Sequence, residues 1–311
     1  MSHAVGVDVG GTKIAAGVVD DDGRIIDRTR VPSPPDDPAQ LIEAVVLAVQ
    51  ELRARHEVTA VGVGAAGFVA ADRDHIHFSP HLEWGDGPVA SQVAERLGLP
   101  VVVENDANAA AWGEHVYGAG KGFDDQLMLT IGTGIGGGIV LDGELYRGGG
   151  GMAAEVGHVT LVRDGRQCEC GRRGCWEEYA SGSSLEREAQ ELAARGEAPS
   201  LVEAAGSPAA VTGSLVTELA QQGDEVAIAL LGRLAASLAT GLSSLLAVLD
   251  PSVVVIGGGV SAAGPLVLEP LTTALHADIS GGSRRPVPQL RLAVLGNDAG
   301  MVGCADLARR A

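Results

Sequence analysis

The sequence predicts an α/β fold in two domains, and three observations carry that expectation. Hydrophobic residues make up 46% of the chain, yet aromatics are only 3% and glycines number 45. The core must therefore be Val, Leu, Ile and Ala between glycine turns. Short apolar strands alternate with helical segments along the whole chain. Two stretches, 4–19 and 126–141, repeat one order of strand, glycine loop and strand, which reads as an internal duplication. With 311 residues there is enough chain for two cores.

Taken in order, residues 4–9 form a buried strand that Gly10-Gly11 breaks, and 14–19 resume as a second strand. Asp20-Asp-Asp-Gly23 makes a turn into a third strand, 24–31. A linker, 32–38, holds four prolines. In 39–55, Leu41, Val45, Ala48, Val49 and Leu52 recur at helical spacing. A strand at 58–64, a long loop at 65–87, a helix at 89–97 and a strand at 101–104 follow. Asn105 then opens a helix to Tyr117. Strands 126–131 and 139–141 flank Gly132-Thr-Gly-Ile-Gly-Gly-Gly138. Helices are expected at 182–194, 201–205, 209–221 and 225–249, and a buried strand at 253–256 precedes Gly257-Gly-Gly259. A helix at 265–277, a strand at 289–295 and a helix at 299–309 close the chain.

Net charge is −18 and the pI about 4.7. Such a field repels phosphate backbones, which argues against a nucleic-acid partner. A bound nucleotide would have to be held locally, by backbone amides and a metal. Met-Ser-His-Ala-Val-Gly-Val-Asp at the start has no basic leader and is not read as a signal peptide. The apolar stretch 242–256 is interrupted by Asp250-Pro251 and is too short and broken to span a bilayer. The expectation is a cytoplasmic protein with no membrane partner.

Three glycine stretches each follow an apolar strand: Asp8-Val-Gly-Gly-Thr-Lys13, Gly132-Thr-Gly134 and Gly257-Gly-Gly-Val260. Gly132, Gly134 and Gly137 match the dinucleotide pattern, but that motif must open a helix, whereas this chain runs on into a strand. Residues 6–13 resemble a P-loop, but the order is Gly-Thr-Lys and a strand follows. A glycine turn between strands still presents N–H groups to phosphate. Two such hairpins suit a triphosphate, with Gly10, Gly11, Thr12 and Lys13 on one side and Gly132, Thr133 and Gly134 on the other. Asp8 would position Mg²⁺, directly or through water.

Residues 155–177 hold the most specific pattern. Cys168, Cys170 and Cys175 fall within eight positions, and His158 stands ten residues before the first of them. A Cys₃His set is a closed tetrahedral zinc shell. Gly171 and Gly174 let the loop bend so that several sulfurs face one point. A Cys168–Cys170 disulfide would be strained at that separation, and a chain of this kind suggests a reducing compartment. Glu155 and Glu177 flank the motif, and a metal that fixes His158 and Cys175 would also fix these carboxylates as acceptors for a polyol's hydroxyls. Solvated surface acids are the ordinary alternative. Cys304 reads as a small buried residue. His3, His56, His75, His77, His81, His115 and His276 read as surface or core residues.

Together these motifs resemble the ROK family of sugar kinases and repressors, in particular its actinobacterial-type glucokinases. The resemblance rests on Asp8-x-Gly-Gly-Thr-Lys13, Glu104-Asn-Asp106, Ile131-Gly-Thr-Gly-Ile-Gly136, Glu155-Val-Gly-His158 and Cys168-x-Cys-Gly-x-x-Gly-Cys-x-Glu177. It implies a duplicated, ribonuclease H-like actin-like ATPase fold, with two α/β domains around a catalytic cleft. The expected division is 1–110 for a small domain and 111–297 for a large one carrying the zinc loop, with a helix at 298–311 packing back on the first. The implied reaction is ATP-dependent phosphorylation of a hexose 6-hydroxyl, glucose first. Asp106 matches the catalytic base, and Gly67, Asn105, Asp106, Glu155, His158 and Glu177 match sugar contacts. His158, Cys168, Cys170 and Cys175 match zinc ligands, and Gly257, Gly258, Gly259 and Val260 match the adenosine-side loop. The resemblance further implies a homodimer or homotetramer. On local sequence alone Asn105 or Asp106 would serve as an N-cap. Fructose, mannose or an N-acetylamino sugar is the sibling reading for the substrate. A repressor is the third class; a first strand near residue 4 leaves no room for a helix-turn-helix, and the acidic balance opposes DNA.

Overall fold

Alternation along the first strand decides what packs on each face of the first sheet. In β1 (His3–Val9), Val5, Val7 and Val9 join one apolar cluster, while Ala4 joins another on the opposite face, which Gly6 and Asp8 share. The computed structural model describes residues 3–34, 36–80 and 82–311. Met1, Ser2, Pro35 of the proline linker and His81 lie outside the described residues.

The chain divides into two compact units. The first takes Met1–Asp124, Gly138–Ala154 and Val294–Ala311, and the second Asp125–Gly137 and Glu155–Ala293. In the first unit β2 (Lys13–Val19) and β3 (Ile25–Pro32) extend β1 as an antiparallel meander. On its other side β4 (Val58–Ala65) and β7 (Val101–Asn105) run parallel. Helices α1 (Pro38–Arg53, capped by Asp37) and α2 (Val89–Leu97) cover the Val5 face. Helices α3 (Asp106–Tyr117) and α10 (Ala299–Arg310) cover the other. The loop expected at 65–87 contains a short hairpin, β5 (Phe68–Val69) with β6 (Ile76–Phe78).

Glycine makes the α10 contact possible. A Cβ on Gly6 would sit 1.8 Å from the carbonyl oxygen of Met301, and one on Gly62 would sit 1.9 Å from that of Cys304. Gly303 of α10 likewise lies on Ala109 of α3, where a Cβ would meet the carbonyl oxygen at 1.8 Å. Backbone rests on backbone, with no side-chain layer between.

The second sheet has the order β10 (Glu144–Leu145), β9 (Ile135–Leu141), β8 (Gln126–Ile131), β11 (Val253–Gly257), β12 (Gln289–Leu292). The first runs β3-β2-β1-β4-β7, so both share one topology: third, second, first, fourth, fifth. The duplication read from two strand–glycine–strand stretches is thus a duplication of whole sheets. In the second unit α8 (Glu225–Leu249) packs with α9 (Pro265–Asp278) and α7 (Gly213–Gln221). Two smaller helices, α4 (Glu177–Ala180) and α6 (Pro199–Ala205), bracket α5 (Gly182–Ala194). Among the described residues α8 alone is long and apolar enough to cross a membrane, and half of its apolar window is buried inside the fold. The apolar stretch read at 242–256 is the end of this helix, which stops at Asp250 in a left-handed conformation (φ 46°), followed by most of β11.

The second unit ends at Ala293 rather than 297, and the division differs from the expected 1–110 and 111–297 in two larger places. Helix α3 stays whole in the first unit, and Gly138–Ala154 belongs there too. The reason is packing: a Cβ on Gly138 would lie 2.2 Å from that of Ala111, so the middle of β9 is seated on α3. Other elements differ at their ends. The helix expected at 209–221 starts only at Gly213, after the hydroxyl cap of Thr212, and the strand expected at 289–295 stops at Leu292.

Gly6→Ala should destabilise the protein by at least about 2 kcal/mol, because the clash is with backbone that cannot rotate away. Gly232→Ala, on α8 with open space around it, should be neutral or stabilising by up to about 1 kcal/mol. Urea midpoints of the two variants check the contrast.

Candidate functional site

In the first unit the candidate residues gather where β1, β4 and β7 end. Asp8 pairs in register with Gly64, and Gly64 with Glu104, so the two carboxylates share one row with only a glycine between. Gly10 N–H donates to the carbonyl of Lys13 (3.0 Å) and closes the glycine turn. Asn105 is the N-cap of α3: its Oδ1 accepts from the backbone N–H of Asn108 at 3.0 Å. Its amide nitrogen donates to the carbonyl of Gly67 at 3.1 Å. Gly67 is held at φ 126°, and a Cβ there would lie 2.0 Å from the carbonyl oxygen of Phe78. Asp106 follows as the first residue of α3, at the positive end of the helix. The capping reading of Asn105 is therefore what the structure shows, and it leaves the Asp106 carboxylate free of that task.

Asp8 and Asp106 both keep solvent-exposed surface, yet both carboxyls are pushed above the ordinary aspartate range. Desolvation is the largest cause in each. The charge of Asp106 raises Asp8 further, and Lys13 partly offsets it. At Asp106, hydrogen bonds from its own N–H and that of Ala107 oppose the desolvation.

In the second unit the cysteine loop folds on glycines. Gly171 and Gly174 adopt φ 88° and 80°, and a Cβ on Gly174 would lie 1.7 Å from the carbonyl oxygen of Val162. His158 ends a 3₁₀ turn, Val156–His158. His158 Nδ1 lies 3.7 Å from Cys168 Sγ, and Cys170 Sγ lies 3.6 Å from Cys175 Sγ. All four donor atoms fall within 4.8 Å of one another. A tetrahedral zinc ion with Zn–S of about 2.3 Å has edges of about 3.7 Å, so the donor set fits that ion in chemistry and spacing. Trp176 anchors the loop: it is fully buried, its indole N–H donates to the carbonyl of Ser237 at 2.9 Å, and its ring lies against Gly241 of α8.

Glu177 touches both this loop and the glycine turn. Its Oε1 lies 3.1 Å from His158 Nδ1, and its Oε2 accepts from Ile135 N–H at 3.4 Å. A Cβ on Gly134 would meet Oε2 at 2.4 Å. Glu155 is exposed just before the 3₁₀ turn. It follows Ala154, a non-glycine residue at φ 71°, a strained conformation at the boundary between the two units.

A cavity of about 230 Å³ in the second unit is lined by Gly132, Thr133, Gly259 and Val260 from the predicted glycine loops. Gly134, Gly257 and Gly258 do not line it. The rest of the wall comes from two helix starts that the sequence reading did not single out: Gly182, Ser183, Leu185 and Glu186 of α5, and Gly213, Ser214 and Thr217 of α7. Both starts carry a readable signal, a hydroxyl cap followed by glycine: Ser181-Gly182 and Thr212-Gly213. Glu186 ties the two starts by accepting from Gly213 N–H at 3.1 Å.

The profile of the ROK family matches residues 4–311. The chain belongs to the ROK family. It is 46% identical over 312 residues to a glucokinase of Streptomyces coelicolor, spanning 99% of this chain and 98% of that protein. Among solved structures it is similar to a ROK family glucokinase from Streptomyces griseus in complex with glucose and AMPPNP. That match has a TM-score of 0.89 and 46% identity, and covers 100% of both chains. It is also similar to a ROK hexokinase from Thermus thermophilus, with a TM-score of 0.82, 38% identity and coverage of 99% of this chain and 98% of that one. The fold is the actin-like ATPase fold, which the repeated sheet order expresses.

The raised carboxyls of Asp8 and Asp106 make a stability prediction. A carboxyl whose folded pKa exceeds its unfolded value, about 3.9, stabilises least once pH rises through the folded pKa. At neutral pH the ionised groups therefore cost stability. Asp8→Asn and Asp106→Asn should each raise Tm at pH 7.5, with the gain shrinking as pH falls towards 4. Scanning calorimetry across that range checks it, and a lower Tm for both variants at pH 7.5 contradicts it.

Proposed function

We propose that this chain transfers the γ-phosphoryl group of ATP to the 6-hydroxyl of glucose, giving glucose 6-phosphate and ADP. The observation that carries the proposal is end-to-end similarity to a glucokinase whose structure holds glucose and an ATP analogue. The ATP role of the second-unit cavity has the support of two glycine loops and two helix N-termini at its wall. Asp8, Gly10, Gly11, Thr12 and Lys13, together with Gly132, Thr133 and Gly134, are the proposed phosphate-side residues, and Gly257 to Val260 the adenosine side. Gly67, Asn105, Asp106, Glu155, His158 and Glu177 are the proposed sugar contacts.

In this reading Asp106 accepts the 6-hydroxyl proton as the oxygen attacks the γ-phosphorus, and the bond to the β-phosphate oxygen breaks with its electron pair leaving on ADP. A carboxylate suffices because the transfer is loose and the proton leaves late. The raised pKa of Asp106 makes it a somewhat better base than an ordinary aspartate. Asp8 would hold Mg²⁺, directly or through water, and the ion would neutralise phosphate charge. Most of the remaining rate comes from alignment of the reactants.

His158, Cys168, Cys170 and Cys175 would hold zinc in a structural role, since four protein ligands leave no open position for water. With Nδ1 of His158 facing the thiols, Nε2 is left for a sugar hydroxyl, so the metal would orient a sugar contact one bond network away. The enzyme would act in the cytoplasm as a homodimer or homotetramer, and light scattering on the purified protein reports the copy number.

The test is a coupled ADP-release assay with Mg-ATP on glucose, mannose, fructose, N-acetylglucosamine, N-acetylmannosamine and allose. Glucose should give the highest kcat/KM, and Asp106→Asn should lower kcat about 10²–10⁴-fold with sugar affinity roughly kept. A different best sugar changes the substrate, and near-normal kcat in Asp106→Asn removes that residue from the role of base.

Zinc removal should lower Tm and raise the KM for sugar together. A colorimetric chelator should release one zinc per chain, and Cys175→Ser should release less. Full activity in protein verified as metal-free would break the link between the metal and the sugar site.

A further inference from the structure

Glu104 is almost completely buried, with 1% of its surface exposed, and nothing in the proposed chemistry uses it. Isolated buried carboxylates are costly, so their partners show what they hold. Arg147 Nε lies 2.7 Å and Arg73 Nε 3.4 Å from Glu104 Oε2. The other oxygen, Oε1, accepts from Asn105 N–H at 3.0 Å and from the side-chain amide of Asn108 at 3.2 Å. One carboxylate thus grips the N-cap residue and the first turn of the helix that Asp106 begins.

Arg147 is itself fixed. Its two terminal nitrogens donate to the carbonyls of Ala71 (3.0 Å) and Ala70 (2.8 Å). A Cβ on Gly151 would collide with the backbone of Ala70, at 2.5 Å. The segment after β10 is therefore locked onto the loop after β5, with Glu104 beneath. All these groups belong to the first unit. The arrangement orients a two-residue step rather than filling a core. Asn105 is held from three directions: by Glu104 at its N–H, by Asn108 at its Oδ1 and by Gly67 at its side-chain nitrogen.

We propose that Glu104, clamped by Arg147, is a positioning residue that sets Asn105 and Asp106 at the angle phosphoryl transfer requires. The proposal rests on the kinase reading above. It predicts a loss in the chemical step, because a displacement of the order of 1 Å costs about 10²-fold in rate.

The experiment uses the full-length, metal-loaded enzyme and measures kcat and KM per folded molecule, with folded fraction from circular dichroism. Glu104→Gln keeps the shape and one acceptor oxygen but removes the charge that holds Arg147. It should lower kcat about 10–100-fold with KM for ATP within about twofold. Arg147→Met should act in the same direction. The double variant should fall within about threefold of the worse single, because both remove one clamp. A purely structural role would instead lower Tm while leaving kcat per folded molecule unchanged, and that result overturns the proposal, as do losses that multiply in the double variant. If Glu104→Gln does not fold, Arg147→Lys carries the same measurement: it keeps the charge beside Glu104 and gives up the paired carbonyl contacts. Wild-type protein inert towards every sugar defeats the kinase reading and this proposal with it. Active wild type with unaffected variants defeats this proposal alone.

Discussion

Helix α10 lies on bare backbone. The carbonyl groups of Met301 and Cys304 occupy the space that side chains at Gly6 and Gly62 would take, and Gly113 and Gly303 bring α3 and α10 together in the same way. This contact sets the height of α3 above the sheet, and therefore where Asp106 stands relative to the strand ends that carry Asp8 and Glu104. It also joins the last helix of the chain to the first strand. The first unit is assembled from three separated segments, so its core cannot close before the C-terminal helix exists. Long-range contacts of this kind are entropically late to form.

The row made by Asp8, Gly64 and Glu104 shows how two acids tolerate one neighbourhood. Cys304 sits over Gly64 between them. Burial pushes its thiol well above the ordinary value, and the charges of Asp8, Glu104 and Asp106 push it further. Glu104 is compensated by two guanidinium groups, and its negative charge is absorbed. Asp8 and Asp106 have no comparable partner, and both carboxyls are displaced upwards. On the proposed reading this uncompensated pair would face a cation and a reacting hydroxyl, the kind of place where a fold gives up stability for chemistry.

Much of this was legible in residue order. Apolar runs broken by glycine located every strand of the first sheet and all but β10 of the second, and the helix from Gly182 and the one from Glu225 to Leu249 were placed where they lie. The cysteine spacing gathered four donors that the fold brings within one coordination sphere. Three kinds of feature were not legible. Two-residue strands such as β5 and β10 are too short to show a period. The membership of Gly138–Ala154 in the first unit depends on a glycine packed against Ala111, and a long-range contact leaves no local trace. The cavity wall from α5 and α7 was missed because Gly213 was read as lying inside a longer helix, when the Thr212 hydroxyl begins it.

The cysteine loop buries little of itself. Between Val159 and Cys175 only Cys168, Gly174 and Cys175 are buried, so the segment has almost no apolar surface of its own to hide. Its backbone is held by polar contacts instead: bridges at Thr160 with Cys175 and at Gln167 with Arg173, and hydrogen bonds such as Leu161 N–H to the Gly174 carbonyl and Gly174 N–H to that of Arg166. A bound metal would supply what a core supplies elsewhere. Its effect would not stay in the loop. Trp176 carries it to Gly241 of α8, and Glu177 carries it to Ile135 and to the glycine turn at Gly134. The same four donors, with an ion bound, would thereby fix the Glu177 carboxylate and the glycine turn at Gly134 relative to one another.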